Sequence, residues 1–246
     1  MITKTQEKIK PAIDAGRKLS YIEHLDELRA VLIRCIIAVV LAAILFSKYH
    51  EFFLNLLIAP VGWLVFVNPA EAFVAHVMLI LFGGLVVSSP YLFWEVWRFL
   101  GQAMTGPERK YILFLAPWSI ALFVVGLVFA YAVILPISLK FLLSFASKTI
   151  IPMITVQSYI SYVASLCLAF ACVFEMPLVI VFLTKIGIAT PEFLIQKRRH
   201  AIVAIFVISA ILTPPDYVSQ LLMAIPMTLL YELSIYFCKI TVRPKF

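Results

Sequence analysis

The sequence predicts an all-α polytopic membrane protein with six transmembrane helices and both termini cytoplasmic. Three observations predict it. First, 63% of the 246 residues are hydrophobic and 13% are charged, with a mean hydropathy of +1.04. A soluble domain carries about 25% charged residues, and so few charges cannot cover this much apolar surface in water. Second, the apolar residues gather in runs long enough to cross a hydrocarbon core of about 30 Å. Third, on a six-span count seventeen of the 20 Lys and Arg residues fall on the side of the termini, leaving Lys48, Lys140 and Lys148 opposite. That is a positive-inside distribution. The net charge of +7 follows from the same sorting, so nucleic-acid binding is not needed to explain it.

The chain reads as one membrane domain over 1–246, with 1–29 a cytoplasmic tail and amphipathic lead-in. The first 20 residues are polar and mostly basic with no apolar core behind them, unlike a cleaved signal or transit peptide. Ser20-Tyr21-Ile22-Glu23 forms a capping box. On the helix it starts, Glu23, Glu27, Ala30 and Arg34 share one stripe, and Tyr21, Leu25, Leu28 and Leu32 another. Arg34 lies one turn inside the first span, about 30–47, where it is expected to snorkel to the headgroups. Residues 48–70 are a loop broken by Pro60 and Asn68-Pro69, with Phe and Leu residues suited to lie on the membrane or cap the bundle.

The second span, about 72–97, has no Asp, Glu, Lys or Arg from Ala72 to Trp94. Gly83-Gly84 and Ser88-Ser89-Pro90 allow close packing and a kink, and Tyr91, Phe93, Trp94, Trp97 and Phe99 form an interfacial aromatic belt. Thr105-Gly106-Pro107-Glu108 caps the third span, about 108–135, which is expected to stop at Pro136 before a loop to Ser158. The fourth span, about 156–184, holds a single Asp, Glu, Lys, Arg or His residue, Glu175, with Pro177 two residues on. At a rise of about 1.5 Å per residue Glu175 sits roughly 15 Å from Lys185, near mid-bilayer. An acid there has a partner, a wet cavity or a task, though a protonated Glu bonded to a neighbouring helix is the plain alternative. Pro177 removes a backbone donor and loosens the helix beside it. The fifth span, about 199–212, is too short to cross alone. Thr213-Pro214-Pro215-Asp216 then turns the chain into the sixth, about 217–238.

Enzyme chemistry finds no support: there is no nucleotide loop and no Ser/His/Asp grouping at one depth. Cys35, Cys167, Cys172 and Cys238 read as small buried hydrophobes. His24, His50, His76 and His200 fall in separate segments, so no metal or other cofactor is expected. What stands out is a group of acids, Glu23, Glu27, Glu95 and Glu108, on the side otherwise crowded with Lys and Arg. Carboxylates so placed suit a cationic ligand, best a guanidinium, whose planar fork they match. On spacing alone Glu108, like Glu23, is better read as a capping residue stabilised by the helix dipole. Glu27 lies past the first turn and has no such explanation.

Several stretches resemble the TatC family, the multispan receptor subunit of the twin-arginine protein translocase. They are His24-Leu25-Asp26-Glu27-Leu28-Arg29, Ser89-Pro90-Tyr91 with Trp97 and Phe99, Glu108-Arg109-Lys110, Phe174-Glu175-Met176-Pro177, Leu212-Thr213-Pro214-Pro215-Asp216 with Ser219-Gln220, and Ala224-Ile225-Pro226 with Tyr231-Glu232. The resemblance spans about Ser20 to Ile240. It implies a curved, cupped-hand arrangement with short fifth and sixth helices, in a bacterial cytoplasmic (inner) membrane. It implies cargo proteins that cross folded, driven by the proton-motive force, with signal peptides carrying two consecutive arginines. Glu27 and Glu108 match the carboxylates that bind this pair, Phe99 an adjacent aromatic, and Arg29 and Arg109 surrounding basic residues. Glu175 matches an intramembrane Glu on the concave face, and Pro60 a Pro of the external cap. Asp216 and Gln220 match polar residues where small single-span subunits of the TatA and TatB type dock. A multi-copy complex is implied as well. Two departures stand out: Glu95 replaces a usual Gln, adding an acid near the receptor surface, and Gly101-Gln102-Ala103-Met104 replaces a Pro-Gly-Leu-like linker. Without the resemblance, a proton-coupled secondary transporter using Glu175, or a scaffold for other subunits, would be equally open.

Overall fold

The computed structural model describes residues 21–102, 108–147, 152–213 and 217–241, the side chains of 21–24, 102, 108–114 and 241 excepted. Among the described residues it is mostly helical, with one isolated bridge between Val65 and Thr155. The helices are α1 (Tyr21–Phe46), α2 (His50–Ile58), α3 (Pro69–Gln102), α4 (Glu108–Phe129), a π-helical turn (Ala130–Ile134), α5 (Leu135–Leu143), α6 (Val156–Phe174), α7 (Met176–Lys185), α8 (Pro191–Gln196), α9 (Arg198–Leu212) and α10 (Tyr217–Thr241). Among the described residues five helical segments are long and apolar enough to cross a membrane: Leu25–Phe46, Pro69–Gly101, Leu115–Leu143, Val156–Lys185 and Tyr217–Ile240. The 15 residues of α9 reach only about 22 Å at 1.5 Å per residue, short of the hydrocarbon thickness.

α1 packs on α3, α3 on α4 and α6, α4 on α6, and α7 on α10, which carries α9. Two glycines set the closest approaches. A Cβ on Gly84 would sit 2.7 Å from the Ala43 backbone across the α1–α3 seam, and one on Gly126 would sit 2.9 Å from Ala171 Cα between α4 and α6. Without a hydrophobic driving force between helices in lipid, such small-residue contacts are what dispersion can use. The main core lies where α3, α4, α5, α6 and α10 meet, around Leu79, Leu135, Ile160, Val163, Leu166, Phe170 and Met223. Many large apolar side chains face outward, from Ile36, Leu41 and Ile44 to Leu229 and Ile240, as a lipid-facing surface requires.

The segment after α1 caps the bundle. Tyr131 Oη donates to Leu56 O at 2.8 Å, and Tyr159 Oη to Leu57 O at 2.6 Å. Val65 N donates to Ile154 O at 3.0 Å, and Val156 N returns a bond to Val65 O at 2.9 Å.

Several expectations from the sequence need correction, three of them at the level of the fold. The third span does not stop at Pro136. Helix continues through it to Leu143, because the preceding π turn, with Leu135 N bonded to Ala130 O, lets Pro136 enter as a first-turn residue of α5. There its missing N–H costs little. The sixth helix is not short: α10 has 25 residues and carries Pro226 inside it. Its far half is held by packing on α7 and α8, with Ile180, Tyr231, Ile235 and Cys238 buried together, so its length is set by that contact. Shortness is confined to α9. Third, Glu95 is not a surface acid; it is 3% exposed, for the reason given below.

By contrast, the break beside Glu175 falls where Pro177 predicts. α6 ends at Phe174, Glu175 sits between helices, and Pro177 occupies the first turn of α7.

Candidate functional site

The polar residues of the acid-rich end converge on the α1–α3 seam. Glu27 and Arg34 are seven residues apart on one face of α1, two turns along the helix. Arg34 Nη2 donates to Glu27 Oε1 at 3.0 Å. The same nitrogen reaches Glu95 Oε2 on α3 at 3.3 Å. Arg34 Nε lies 3.3 Å from Glu95 Oε1 as an ion pair, without the alignment of a hydrogen bond. Tyr91, one turn earlier on α3, donates from its Oη to Glu95 Oε1 at 3.0 Å, and Arg98 Nη1 stands 3.9 Å from that oxygen. Arg34 is therefore a bridge and does not snorkel outward as expected.

The reason is local dielectric. Lone charges inside the bilayer are costly, and they persist when paired with one another or with backbone carbonyls. The Glu95 side chain is 4% exposed, while those of Glu27 and Arg34 are 30% and 37% exposed. One guanidinium thus joins a buried carboxylate to a wetter one. This pairing was not read from the sequence. The available signal was a lone cation in one apolar segment and a lone anion in another, each needing a partner.

The remaining residues named from the sequence distribute as follows. Phe99 lies on α3 one turn beyond Glu95 and is half-buried; Arg29 is exposed. The structure brings Glu27 and Glu95 together and places Phe99 on the same face of α3 as Glu95. Glu108 and Arg109 open α4, but their side chains lie outside the described residues, as does Asp216. Gln220 is committed inside the fold: its Nε2 donates to Phe206 O on α9 at 3.1 Å. Pro60 is exposed in the turn after α2.

Glu175 forms a second, separate polar point. It is 9% exposed, and its Oε1 has no hydrogen-bond partner among the described residues. Ser119 of α4, fully buried, interacts with the carboxyl. Its Oγ also accepts from Trp97 Nε1 at 2.7 Å. Trp97 in turn meets the Phe182 ring edge-on at 5.3 Å. A polar relay thus runs from the aromatic belt of α3 through α4 to the hinge between α6 and α7.

All four cysteines are free. Among the described residues no three His, Cys, Asp or Glu side chains gather as a metal site, although the separated His50 and His76 do meet, with ring centroids 5.4 Å apart.

Comparison with known proteins gives these features a context. Residues 23–226 match the family model for the Sec-independent protein translocase protein (TatC). The TatC protein of Carboxydothermus hydrogenoformans is 40% identical over 234 residues, 93% of this chain and 96% of its own. That of Aquifex aeolicus is 38% identical over 231 residues, 91% and 96% of the two chains. That of Escherichia coli K12 is 35% identical over 225 residues, 89% and 87% of the two chains. A crystal structure of the twin-arginine translocase receptor TatC superposes with a TM-score of 0.82 at 38% identity, covering 89% of this chain and 100% of that one. With a family match over most of its length and full-length relatives at this identity, the chain belongs to the TatC family, multi-pass membrane subunits of protein translocation that are not enzymes.

Proposed function

We propose that this chain is the receptor for twin-arginine signal peptides and the core subunit of a translocase that exports folded proteins across the cytoplasmic membrane, driven by the proton-motive force. Its six crossings would be α1, α3, α4 with α5, α6 with α7, α9 and α10, with both termini cytoplasmic, as the distribution of Lys and Arg favours. Glu27 and Glu108 would accept the two arginines, flanked by Phe99, Arg29 and Arg109. The apolar part of the signal peptide would then lie along the helices toward Glu175. Single-span TatA- and TatB-type subunits would join near Asp216 and Gln220, and Pro60 would shape the external cap.

The observation that carries this reading is that Glu27 holds a guanidinium at 3.0 Å at a half-exposed position. The carboxylate thus has the geometry and the access that an arginine ligand needs. Charge reversal tests it. In a chain carrying Glu27→Arg and Glu108→Arg, crosslinking of a twin-arginine signal peptide should fall to the level of a peptide whose arginines are replaced. Undiminished crosslinking would refute the assignment.

A further inference from the structure

The geometry points to Arg34 as an internal occupant of the arginine acceptor: its guanidinium sits on Glu27 in the empty receptor, and Glu95 takes it up when a ligand arginine displaces it. This inference rests on reading Glu27 as an acceptor for the signal peptide, and it adds a competitor belonging to the chain itself.

Three observations support it. Arg34 presents to Glu27 the same chemical group that the ligand would bring, at 3.0 Å. One nitrogen, Nη2, serves both carboxylates, at 3.0 Å and 3.3 Å, so neither acid receives the paired N–H bonds of a full fork. Finally, the two carboxylates differ in burial, 30% against 4% side-chain exposure. An exposed ion pair contributes little and exchanges with water and competing ions. A buried carboxylate that lost its cation would be left uncompensated. Displacement therefore has a direction: an incoming arginine takes the outer acid, and Arg34 keeps the inner one, where its Nε can turn into alignment with Glu95 Oε1. Glu95, buried beside Arg34, is what gives the displaced guanidinium a place to stay. Tyr91, bonded to Glu95 Oε1 at 3.0 Å, holds that carboxylate in position for either state.

The test uses the full chain in lipid nanodiscs. The probes are a twin-arginine signal peptide and its Gln-Gln counterpart, with Kd measured for each and folding checked by thermal melting. Glu95→Gln leaves Arg34 to Glu27 and should weaken binding of the arginine peptide by about fivefold. Arg34→Asn with Glu95→Gln removes both charges together, strands no buried acid, and should tighten binding by about fivefold. A merely structural role for the bridge would weaken binding in both variants. Equal binding by wild type and both variants, or weaker binding by the double variant, overturns the inference. If Glu27→Ala abolishes the preference for arginine over Gln peptides while the double variant binds as wild type, this inference alone fails. If wild type shows no such preference, the acceptor reading fails and takes this one with it.

Discussion

Two acids are buried in apolar surroundings, and the molecule treats them in opposite ways. Glu95, at 3% exposure, is compensated by a cation from the neighbouring helix and by a tyrosine on its own. Glu175, at 9%, has no cation within ion-pairing distance among the described residues; it meets a serine hydroxyl and sits at a break between helices. The first arrangement holds a charge in place and ties α1 to α3. The second leaves an oxygen without a hydrogen-bond partner and a backbone that Pro177 has already interrupted. A paired acid stabilises a seam, whereas an unpaired one beside a hinge is available for something to happen to it. The same residue type is thus a strut at one point and an acid without an ion pair, beside a helix break, at another.

Breaking the strut should have the largest effect on stability. Arg34→Ala strands Glu95 in the seam with Tyr91 and Arg98, 3.9 Å away, and should lower the melting temperature in detergent more than Trp97→Phe or Glu175→Gln. Adding Glu95→Gln to an Arg34→Asn chain should recover most of it, because replacing a buried ion pair as a unit is far better tolerated than removing one partner. A double variant as unstable as Arg34→Ala would show that the charges are not what joins these helices.

An intermediate effect is expected from Trp97→Phe. It keeps the ring against Phe182 but deletes the donor to Ser119, which is 2.7 Å away and fully buried. The expected loss is about 1 kcal/mol of stability, because the buried Ser119 oxygen is left without its donor. Stability unchanged to within a few tenths of a kcal/mol would mean that the relay is fortuitous.

Glu175→Gln should have the smallest effect on stability, within about 1 kcal/mol, since the change is isosteric and no ion pair is lost. If Glu175 works in transport, export of a twin-arginine reporter should nevertheless drop in cells carrying only this variant. A large fall in melting temperature with normal export would reverse the contrast between the two acids.

Much of this was legible from the chain alone because it depends on composition and on short-range spacing. Apolar runs of bilayer length, one-sided Lys and Arg, the shortness of α9 and the break at Glu175-Met176-Pro177 each follow from a few consecutive residues. The family resemblance rested on local motifs of the same kind. Other features required the third dimension. Pro136 is a stop signal by propensity, yet a π turn five residues long lets the helix pass through it. The end of α10 is set by packing on α7 and α8, which no residue within α10 announces. Arg34, read as snorkelling, turns inward because α3 brings Glu95 beside it, 61 residues away in the chain. The sequence by itself determined the solvent this protein belongs in, the location of its long apolar runs and which residues were too polar for their surroundings. The tertiary structure decided which of those residues found partners. Hydrophobic burial follows from each segment's own apolar content, whereas pairing of charges in a low dielectric falls off within a few ångströms and depends on which helices are adjacent.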